Sequence, residues 1–186
     1  MLTTTIDLDA IAHNTRRLRE QTTAELMCVV KADAYNHGVE RCVPVMEANG
    51  ADAFGVATFA EARRVRELTT QPVLAWLWDP HEELPAGVDV GVPSFTHLHS
   101  LIDAPTAPTV YLKVDTGMHR SGIDEVRWQE AFELALDAQR KGKLEVAGLM
   151  THFSCADDPS DPYTDQQAAA FRRAIAQARQ VGLEVP

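Results

Sequence analysis

Apolar residues recur three and four positions apart in five stretches of the chain, with charged residues between them, as in amphipathic helices. These predicted helices cover residues 9–21, 39–49, 58–68, 125–141 and 163–181. Short runs rich in β-branched residues predict strands at residues 26–30, 53–57, 73–78, 88–92, 110–114 and 145–151. Strands that alternate with helices pair in parallel through right-handed crossovers. The pattern therefore predicts an α/β fold with about six strand–helix units.

This order of elements fits two architectures, an open doubly wound sheet and a closed eight-stranded barrel. A doubly wound sheet would carry a glycine-rich phosphate turn, and neither GxGxxG nor a P-loop follows any predicted strand. A barrel places its chemistry at the carboxyl ends of several strands. Polar residues do follow the predicted strands: Lys31, Thr58, Asp79, Ser94, Asp115 and His152. The sequence therefore favours a (β/α)8 TIM-type barrel.

Six predicted strands are fewer than the eight of a complete barrel, which usually takes about 250 residues. The chain has 186 residues and stops at "GLEVP", where a seventh strand is expected to begin. No composition shift or flexible linker divides it. We therefore expect residues 1–186 to form one incomplete domain, the N-terminal part of the barrel.

Composition and charge argue against several classes of protein. The net charge of −10 disfavours a nucleic-acid binder, which needs a basic face. No apolar run reaches the roughly 20 residues of a membrane span, and the first residues lack a signal-peptide pattern. Three scattered cysteines without a CxxC pair indicate free thiols in a cytoplasmic protein. His97 and His99 have no supporting carboxylate or cysteine pattern, so no metal site is expected.

The first candidate reactive residue is Lys31 in "CVVKADAYNHG", at the end of the first apolar run. A lysine at this point could simply extend its ammonium group into water. Alternatively, an amine at the mouth of a barrel can attack carbonyl groups and form a Schiff base. Tyr35 and the amides of the following loop are placed to bind a phosphate group. The residues alone leave both interpretations of Lys31 open.

A second group of polar residues lies in "YLKVDTGMHRSGI". Strand alternation places Lys113 and Asp115 on the face opposite Leu112. In a barrel the leucine face packs against the outer helices, so Lys113 is expected to point inward. It must then be neutralised, paired or modified, because an isolated buried charge costs several kcal/mol. The loop that follows carries Arg120, whose planar guanidinium suits a carboxylate.

Two further stretches carry rings at predicted strand ends. His152 follows the sixth strand in "LMTHFSC", where its imidazole could stack on a flat ligand. The stretch "AWLW" contains Trp76 and Trp78, which alternate onto one face of the third strand. We interpret both tryptophans first as core residues and second as contacts for a cofactor.

Together these segments resemble the alanine racemase family, whose members are pyridoxal 5′-phosphate (PLP) enzymes. "VVKADAYNHG" is similar to the family's PLP-lysine motif, "LKVDTGMHRSGI" to its substrate-arginine segment and "GLMTHFSCAD" to its ring-stacking histidine segment. The likeness extends over the whole chain, including "TTIDLDAIAHNTRRL" and "GADAFGVATFAEA". Two positions depart from the family pattern, since Asn36 replaces a glycine and His119 replaces a small residue.

The resemblance implies a role for each candidate residue. Lys31 would be the Schiff-base lysine and one of two catalytic bases, and Tyr35 would lie beside the cofactor phosphate. Arg120 would bind near the substrate carboxylate and the phenolic oxygen of PLP, and His152 would stack beside the pyridine ring. Lys113 matches a position that is carbamylated in many members, which would replace a costly inward cation by an anion that supports Arg120.

The resemblance also implies a cytoplasmic, homodimeric isomerase that interconverts L- and D-alanine and supplies D-alanine for peptidoglycan. In the family, other cofactor-binding groups and the opposing tyrosine base lie downstream of the segment matched here, the tyrosine in a C-terminal β domain absent from this chain. Racemisation by two bases needs acid–base groups on both faces of the substrate. We therefore expect these 186 residues alone to racemise alanine poorly or not at all.

Alternatives to a racemase remain open at this point. A barrel-only PLP-binding protein or a PLP-dependent decarboxylase would share the lysine on the first strand, but such relatives lack the segment around Lys113 and Arg120. A Schiff-base aldolase would use the same lysine without a cofactor. The chain could also be a non-catalytic fragment with a role in assembly or structure.

Overall fold

The computed structural model describes residues 3–186. They form two compact units, the first made of residues up to 78 with 82–89, and the second of residues 79–81 with 90–186. Within residues 3–186, no helix is both long and apolar enough to span a bilayer.

Helices and strands alternate along the described chain except at two places, where α2 is followed by α3 and β3 by β4. The helices are α1 (Leu8–Arg19), α2 (Lys31–Asn36), α3 (Val39–Glu47), α4 (Phe59–Arg66), α5 (Phe95–Ile102), α6 (Trp128–Arg140) and α7 (Tyr163–Gln180), with a 3₁₀ turn at Glu125–Arg127 before α6. The strands are β1 (Met27–Val29), β2 (Ala53–Val56), β3 (Val73–Ala75), β4 (Asp89–Val92), β5 (Thr109–Lys113) and β6 (Glu145–Met150). Each predicted strand overlaps an observed one, and the predicted α/β class is confirmed.

The first unit is built on three parallel strands, in which β2 pairs with β1 on one side and with β3 on the other. Phe54 lies opposite Cys28 in β1 and opposite Val73 in β3. All four residues of β2 are buried, as expected for a parallel strand that is covered on both faces. Phe59 of α4 is also fully buried in this unit.

Helix α4 begins with a capping box. The Thr58 hydroxyl accepts the N–H of Glu61 at 3.3 Å, and the Glu61 carboxylate accepts the N–H of Thr58 at 3.0 Å. This exchange satisfies two backbone N–H groups that a helix N-terminus otherwise leaves without partners. It also places the Glu61 carboxylate at the carboxyl end of β2.

The second unit contains β5 paired in parallel with β4 on one side and with β6 on the other, with a bulge between Val110 and Tyr111. Helix α6 contacts β6 and contributes the fully buried side chains of Trp128 and Phe132. The indole N–H of Trp128 donates to the Ile123 carbonyl at 2.7 Å, so this large ring is buried with its polar atom satisfied.

Two observed helices are not among the five predicted from periodicity. Residues 95–102, around His97 and His99, form α5, whose N-terminal N–H groups include one that donates to the Ser94 hydroxyl. Phe95, Leu98 and Ile102 are spaced three and four positions apart, so α5 carries a helical period that the five predicted helices leave out. Lys31–Asn36 form α2, which no periodicity predicts because its backbone is left-handed, as described next.

Candidate active site

Lys31 lies two residues after the end of the first strand and directly follows the buried Val30. β1 ends at Val29, and Val30 is 1% exposed, with its N–H donating to the Gly55 carbonyl at 2.8 Å. Lys31 is half-buried, and its Nζ lies 5.8 Å from the centre of the Tyr35 ring. The amine therefore lies at a carboxyl strand end, where the sequence predicts it.

The backbone after Lys31 forms a left-handed turn. Positive φ values occur at Ala32 (52°), Asp33 (57°), Ala34 (53°), Tyr35 (53°) and Asn36 (66°). L-residues avoid this region because the Cβ atom crowds the following carbonyl, at a cost of roughly 1–2 kcal/mol per residue in a left-handed helix. Such strain persists only where surrounding contacts maintain it, and it concentrates at functional sites. Contacts outside the turn must therefore stabilise it.

Glu61 of α4 provides the first of these contacts. Its Oε1 accepts the N–H of Ala32 at 2.8 Å, and its Oε2 accepts the N–H groups of Ala57 at 2.8 Å and Thr58 at 3.0 Å. Burial raises the pKa of Glu61, but the hydrogen bonds from these three N–H groups outweigh it and hold the pKa below its ordinary 4.5. Glu61 is therefore ionised at neutral pH.

Asp33, inside the turn, provides a second contact. Its Oδ1 accepts the N–H of Val39 at 3.0 Å and lies 3.2 Å from the guanidinium of Arg64. Arg64 also donates through Nε to Glu40 at 2.6 Å. Since Arg64 and Glu61 are one turn apart on α4, this helix contacts the left-handed turn at two places.

The two tryptophans after β3 have different environments. Trp78 is 7% exposed and stacks on Phe59 with ring centres 5.3 Å apart, which makes it a core residue. Trp76 is half-buried and lies so close to Gly55 that a Cβ atom there would be 2.6 Å from its ring. Because β3 ends at Ala75, strand alternation does not extend to either ring. Trp76 remains the candidate cofactor contact of this pair.

In the second unit, Lys113 is the last residue of β5 and is only 7% exposed. Burial lowers the pKa of its ammonium, and the positive charge of Arg120 lowers it further, while Asp115 opposes both effects. The strand pattern predicts a buried lysine here, and the structure adds a second cation, Arg120, near it.

Arg120 is exposed in a loop, residues 115–122, that we call the arginine loop. Its two stems are hydrogen-bonded to each other, because the Ile123 N–H donates to the Lys113 carbonyl at 2.8 Å and the Asp115 N–H donates to the Ile123 carbonyl at 2.9 Å. Gly122 has φ 136°, and a Cβ atom there would lie 2.7 Å from the Asp115 nitrogen. Only glycine fits at this stem.

The carboxylate of Asp115 organises the arginine loop from inside. Its Oδ1 accepts the N–H groups of Gly117 at 2.8 Å and His119 at 3.1 Å, and its Oδ2 lies 3.1 Å from the His119 Nδ1. Burial raises the pKa of Asp115, but these hydrogen bonds and the charge of His119 outweigh it, so the pKa lies below 3.8. His119, which departs from the family pattern, thus adds a side-chain partner for Asp115.

His152 follows β6 and is exposed. The segment that carries it is held by Gln167 of α7, whose side chain is fully buried. The Gln167 amide nitrogen donates to the His152 carbonyl at 3.0 Å and to Thr116 Oγ1 at 3.1 Å. The Gln167 carbonyl oxygen accepts the Ser154 N–H at 2.9 Å. One buried side chain therefore joins the loops that follow β5 and β6.

A cleft of about 440 Å³ lies beside the arginine loop. Its lining includes Asp115, His119, Tyr163 and Arg173.

The structure over residues 3–186 contains no group of three or more His, Cys, Asp or Glu side chains arranged to hold a metal ion. The three cysteines are free thiols, and burial raises the pKa of Cys28 and Cys42.

The candidate residues fall into two sets. Lys31, Tyr35 and Trp76 lie in the first unit, and Lys113, Arg120 and His152 lie in the second. Lys31 and Tyr35 are neighbours within the first unit, and Lys113 and Arg120 interact through their charges within the second. Their roles toward a cofactor or substrate stay predictions.

Sequence reasoning missed two residues that hold these sets in place, Glu61 and Gln167. A capping-box signal is visible in "TFAE", but it predicts only a helix start and not the hydrogen bond to Ala32. Gln167 could have been noticed as a polar residue on the same face of α7 as the buried alanines.

Comparisons with known proteins identify the family and the fold. The family model of the alanine racemase N-terminal domain matches residues 6–186. An alanine racemase of Corynebacterium efficiens is 55% identical over all of this chain and 52% of its own length. The crystal structure of alanine racemase from Corynebacterium glutamicum is 50% identical with a TM-score of 0.93, over all of this chain and 55% of that one.

A more distant structure is that of alanine racemase from Bartonella henselae with covalently bound pyridoxal phosphate. It is 25% identical with a TM-score of 0.76, over 92% of this chain and 52% of that one. The chain thus spans about half the length of the curated relatives it matches. From the match over residues 6–186 and the 55% identity, the chain belongs to the alanine racemase family, and its fold is the N-terminal part of that family's barrel domain.

Proposed function

We propose that the protein carrying this chain is a PLP-dependent alanine racemase, an isomerase that interconverts L- and D-alanine. The observation that carries the proposal is the position of Lys31, an amine at the carboxyl end of β1 that leads into a strained and anchored turn. Family membership and the relative with covalently bound PLP support the cofactor.

The residues present fit PLP in their chemistry. PLP bonds to proteins through an amine, and the half-buried Nζ of Lys31 is one. When bound, PLP supplies an electron-withdrawing ring that makes the Cα–H of an amino acid attached to it acidic. We assign Lys31 both the attachment and the transfer of the Cα proton on one face. Tyr35 is assigned to the phosphate, and Trp76 and His152 to the ring.

Arg120 is assigned to the carboxylate of alanine, which its exposed planar guanidinium can bind through two hydrogen bonds. Lys113 is assigned as a carbamylated lysine. Its lowered pKa increases the fraction of neutral amine, which can add to carbon dioxide to give an N-carboxylate and one released proton. The resulting anion would attract Arg120, whereas the ammonium repels it.

We further propose that the full-length protein is a homodimer that acts in the cytoplasm on alanine, without nucleic-acid or membrane partners, and supplies D-alanine for peptidoglycan. The net charge of −10 and the free cysteines are compatible with that setting.

The test uses the full-length protein incubated with PLP. Borohydride reduction followed by peptide mapping should place the modification on Lys31, and circular dichroism should follow the loss of optical activity of L-alanine. Lys31→Ala should abolish the modification and reduce kcat by at least about a thousandfold. The matched control is Lys143→Ala, which removes an exposed lysine and should change neither.

Other outcomes would favour the alternatives. Release of carbon dioxide from the amino acid without D-alanine would indicate a decarboxylase. PLP on Lys31 without any turnover would indicate a binding protein. A borohydride-trapped adduct of a carbonyl substrate in the absence of PLP would indicate an aldolase.

A further inference from the structure

We propose that Glu61 is a positioning residue for Lys31: its carboxylate holds the left-handed turn against the end of β2 and thereby fixes the direction of the Lys31 amine. The inference rests on the proposed function, in which Lys31 is the residue that carries PLP. Glu61, which caps helix α4, would thereby have a second role, in the reaction.

The geometry of the carboxylate supports this role. One oxygen accepts the N–H of Ala32, the residue bonded directly to Lys31, and the other accepts the N–H groups of Ala57 and Thr58. Ala57 and Thr58 are the residues between the buried strand β2 and helix α4. Glu61 is therefore a direct link between this connection and the peptide bond that follows Lys31.

The backbone conformation explains why such a link is needed. Ala32 is exposed and has φ 52°, so neither burial of its side chain nor local preference stabilises it in the left-handed region. Without an acceptor at its N–H, the peptide after Lys31 would relax toward a right-handed or extended conformation. Such a rotation about the Lys31 backbone would redirect the side chain that begins there.

The second contact to the turn is weaker. Arg64 pairs with Asp33 at 3.2 Å, but the Arg64 side chain is 49% exposed and the Asp33 side chain is 40% exposed. Exposed ion pairs of this kind contribute little. The Asp33 hydrogen bond to the Val39 N–H stabilises the far end of the turn and does not reach Lys31. Within the turn, the Ala34 N–H donates to the Val30 carbonyl at 2.9 Å across Lys31. Glu61 adds to this a contact from another helix at the residue bonded to the lysine.

A glutamine cannot replace Glu61 in this arrangement. The two carboxylate oxygens accept hydrogen bonds on two sides, whereas a glutamine amide has one acceptor oxygen and an NH₂ group that only donates. In Glu61→Gln, either Ala32 or the Ala57–Thr58 pair would face the NH₂ group. The nearly equal size of the two side chains makes this variant a direct test of the two acceptors.

The experiment compares full-length wild type with Glu61→Gln and with Thr58→Ala. Thr58→Ala removes the other half of the capping box, so it weakens the start of α4 while it leaves the bond between Glu61 and Ala32 in place. We expect Glu61→Gln to reduce kcat about 10- to 100-fold with KM for alanine changed by less than about threefold, because misplacement of a reacting group by about 1 Å can cost a hundredfold in rate. Thr58→Ala should stay within about threefold in kcat.

Two readouts do not depend on turnover. The pH dependence of the absorbance of bound PLP should shift in Glu61→Gln and not in Thr58→Ala, because it reports the environment of the Lys31 nitrogen. Amide hydrogen exchange in the cofactor-free protein should show Ala32, Ala57 and Thr58 protected in wild type. In Glu61→Gln, protection should fall at least tenfold either at Ala32 or at the Ala57–Thr58 pair. A wild-type Ala32 amide that exchanges at the rate of an unfolded peptide would overturn the inference even if the variant fails to fold.

The outcomes separate this inference from the proposed function. If peptide mapping finds no PLP on Lys31 of the wild type, the proposed function fails. If Lys31 carries PLP but Glu61→Gln matches Thr58→Ala in rate, spectrum and exchange, only the role of Glu61 is wrong.

Discussion

At Asn36 the left-handed turn ends in a residue with φ 66° and an exposed side chain. Asparagine is among the few residues that tolerate this region, which explains how it can stand where the family has glycine. We expect Asn36→Gly to leave the free energy of unfolding within about 0.5 kcal/mol of wild type. Asn36→Val should lower it by about 1–3 kcal/mol, because a β-branched residue is strained at positive φ. Urea denaturation of the full-length protein measures both.

The matched control for this prediction is Asn14→Val, at an exposed position of the right-handed helix α1. It should cost no more than about 0.5 kcal/mol, since the backbone there is ordinary. Equal losses of unfolding free energy in the two valine variants would mean that the positive φ at Asn36 is not the reason why valine destabilises the turn.

Single residues at strand ends were the most predictable part of the site. Lys31 and Lys113 could be located because a cation after, or within, an apolar strand contradicts the local pattern. Glu61 could not, since its hydrogen bond to Ala32 joins residues 29 positions apart and depends on a backbone conformation without a sequence signal. Residue types indicate which chemistry is possible, whereas a contact such as the one between Glu61 and Ala32 is seen only in the folded structure.

At the scale of elements, the predictions include five of the seven helices and all six strands of residues 3–186. They leave out α2 and α5. Helix α5 has apolar residues at helical spacing, as the predicted α4 of the same length does, so its length does not explain the omission. Helix α2 is different, because its left-handed backbone is stabilised by contacts from α4 and follows no apolar pattern of its own. A left-handed element that depends on tertiary contacts is not marked by periodicity.

A further prediction concerns Gln167 of helix α7. In Gln167→Leu, the His152 carbonyl, the Ser154 N–H and Thr116 Oγ1 would lose partners that Gln167 supplies. Buried groups without partners cost about 1–3 kcal/mol each, so we expect the free energy of unfolding to fall by about 2–4 kcal/mol. Thermal or urea denaturation measures this loss, and amide exchange at Ser154 should accelerate.

Gln166→Leu is the control, since Gln166 is the exposed neighbour on the same helix. Its effect should stay within about 0.5 kcal/mol. If both leucine variants lose the same stability, the hydrogen bonds of Gln167 do not hold the histidine segment.

At the scale of the whole molecule, the alternation of two periods was enough to predict an α/β class, and the polar strand ends selected the barrel. Family membership confirms that fold. The pairing of strands is predictable because parallel order follows the chain, whereas the positions of loops such as the arginine loop depend on particular hydrogen bonds at their stems.

Acid stability is a property of the whole fold to which Glu61 contributes with a known sign. Its folded-state pKa lies below 4.5, so its stabilisation is complete above that value and is lost as the pH falls through the folded pKa. We expect wild type to be more stable than Glu61→Gln near neutral pH, and the difference to shrink as the pH falls below about 4.5. Urea denaturation of both proteins across this range measures the difference.

Asp115 also has a lowered pKa, so its stabilisation of the fold should be lost in the same way as the pH falls. For Lys113 the charged form is the protonated one, so its lowered pKa means that the folded state disfavours the charge. A folded state that disfavours the charged lysine gains stability as the pH rises from the folded pKa of Lys113 toward its unfolded value of 10.5.

For Glu61, a constant difference in stability between wild type and Glu61→Gln at every acidic pH would contradict the assignment of hydrogen bonds to its carboxylate.

The left-handed turn also has a consequence for chirality. Its backbone angles are the mirror image of those that L-residues prefer, and they are therefore the angles that D-residues prefer. At Ala32, where the side chain is exposed, a D-alanine introduced by chemical synthesis would fit the native backbone with less strain than the L-alanine that the ribosome inserts. The segment beside Lys31 is thus a place where the enantiomer absent from natural protein synthesis is the better building block.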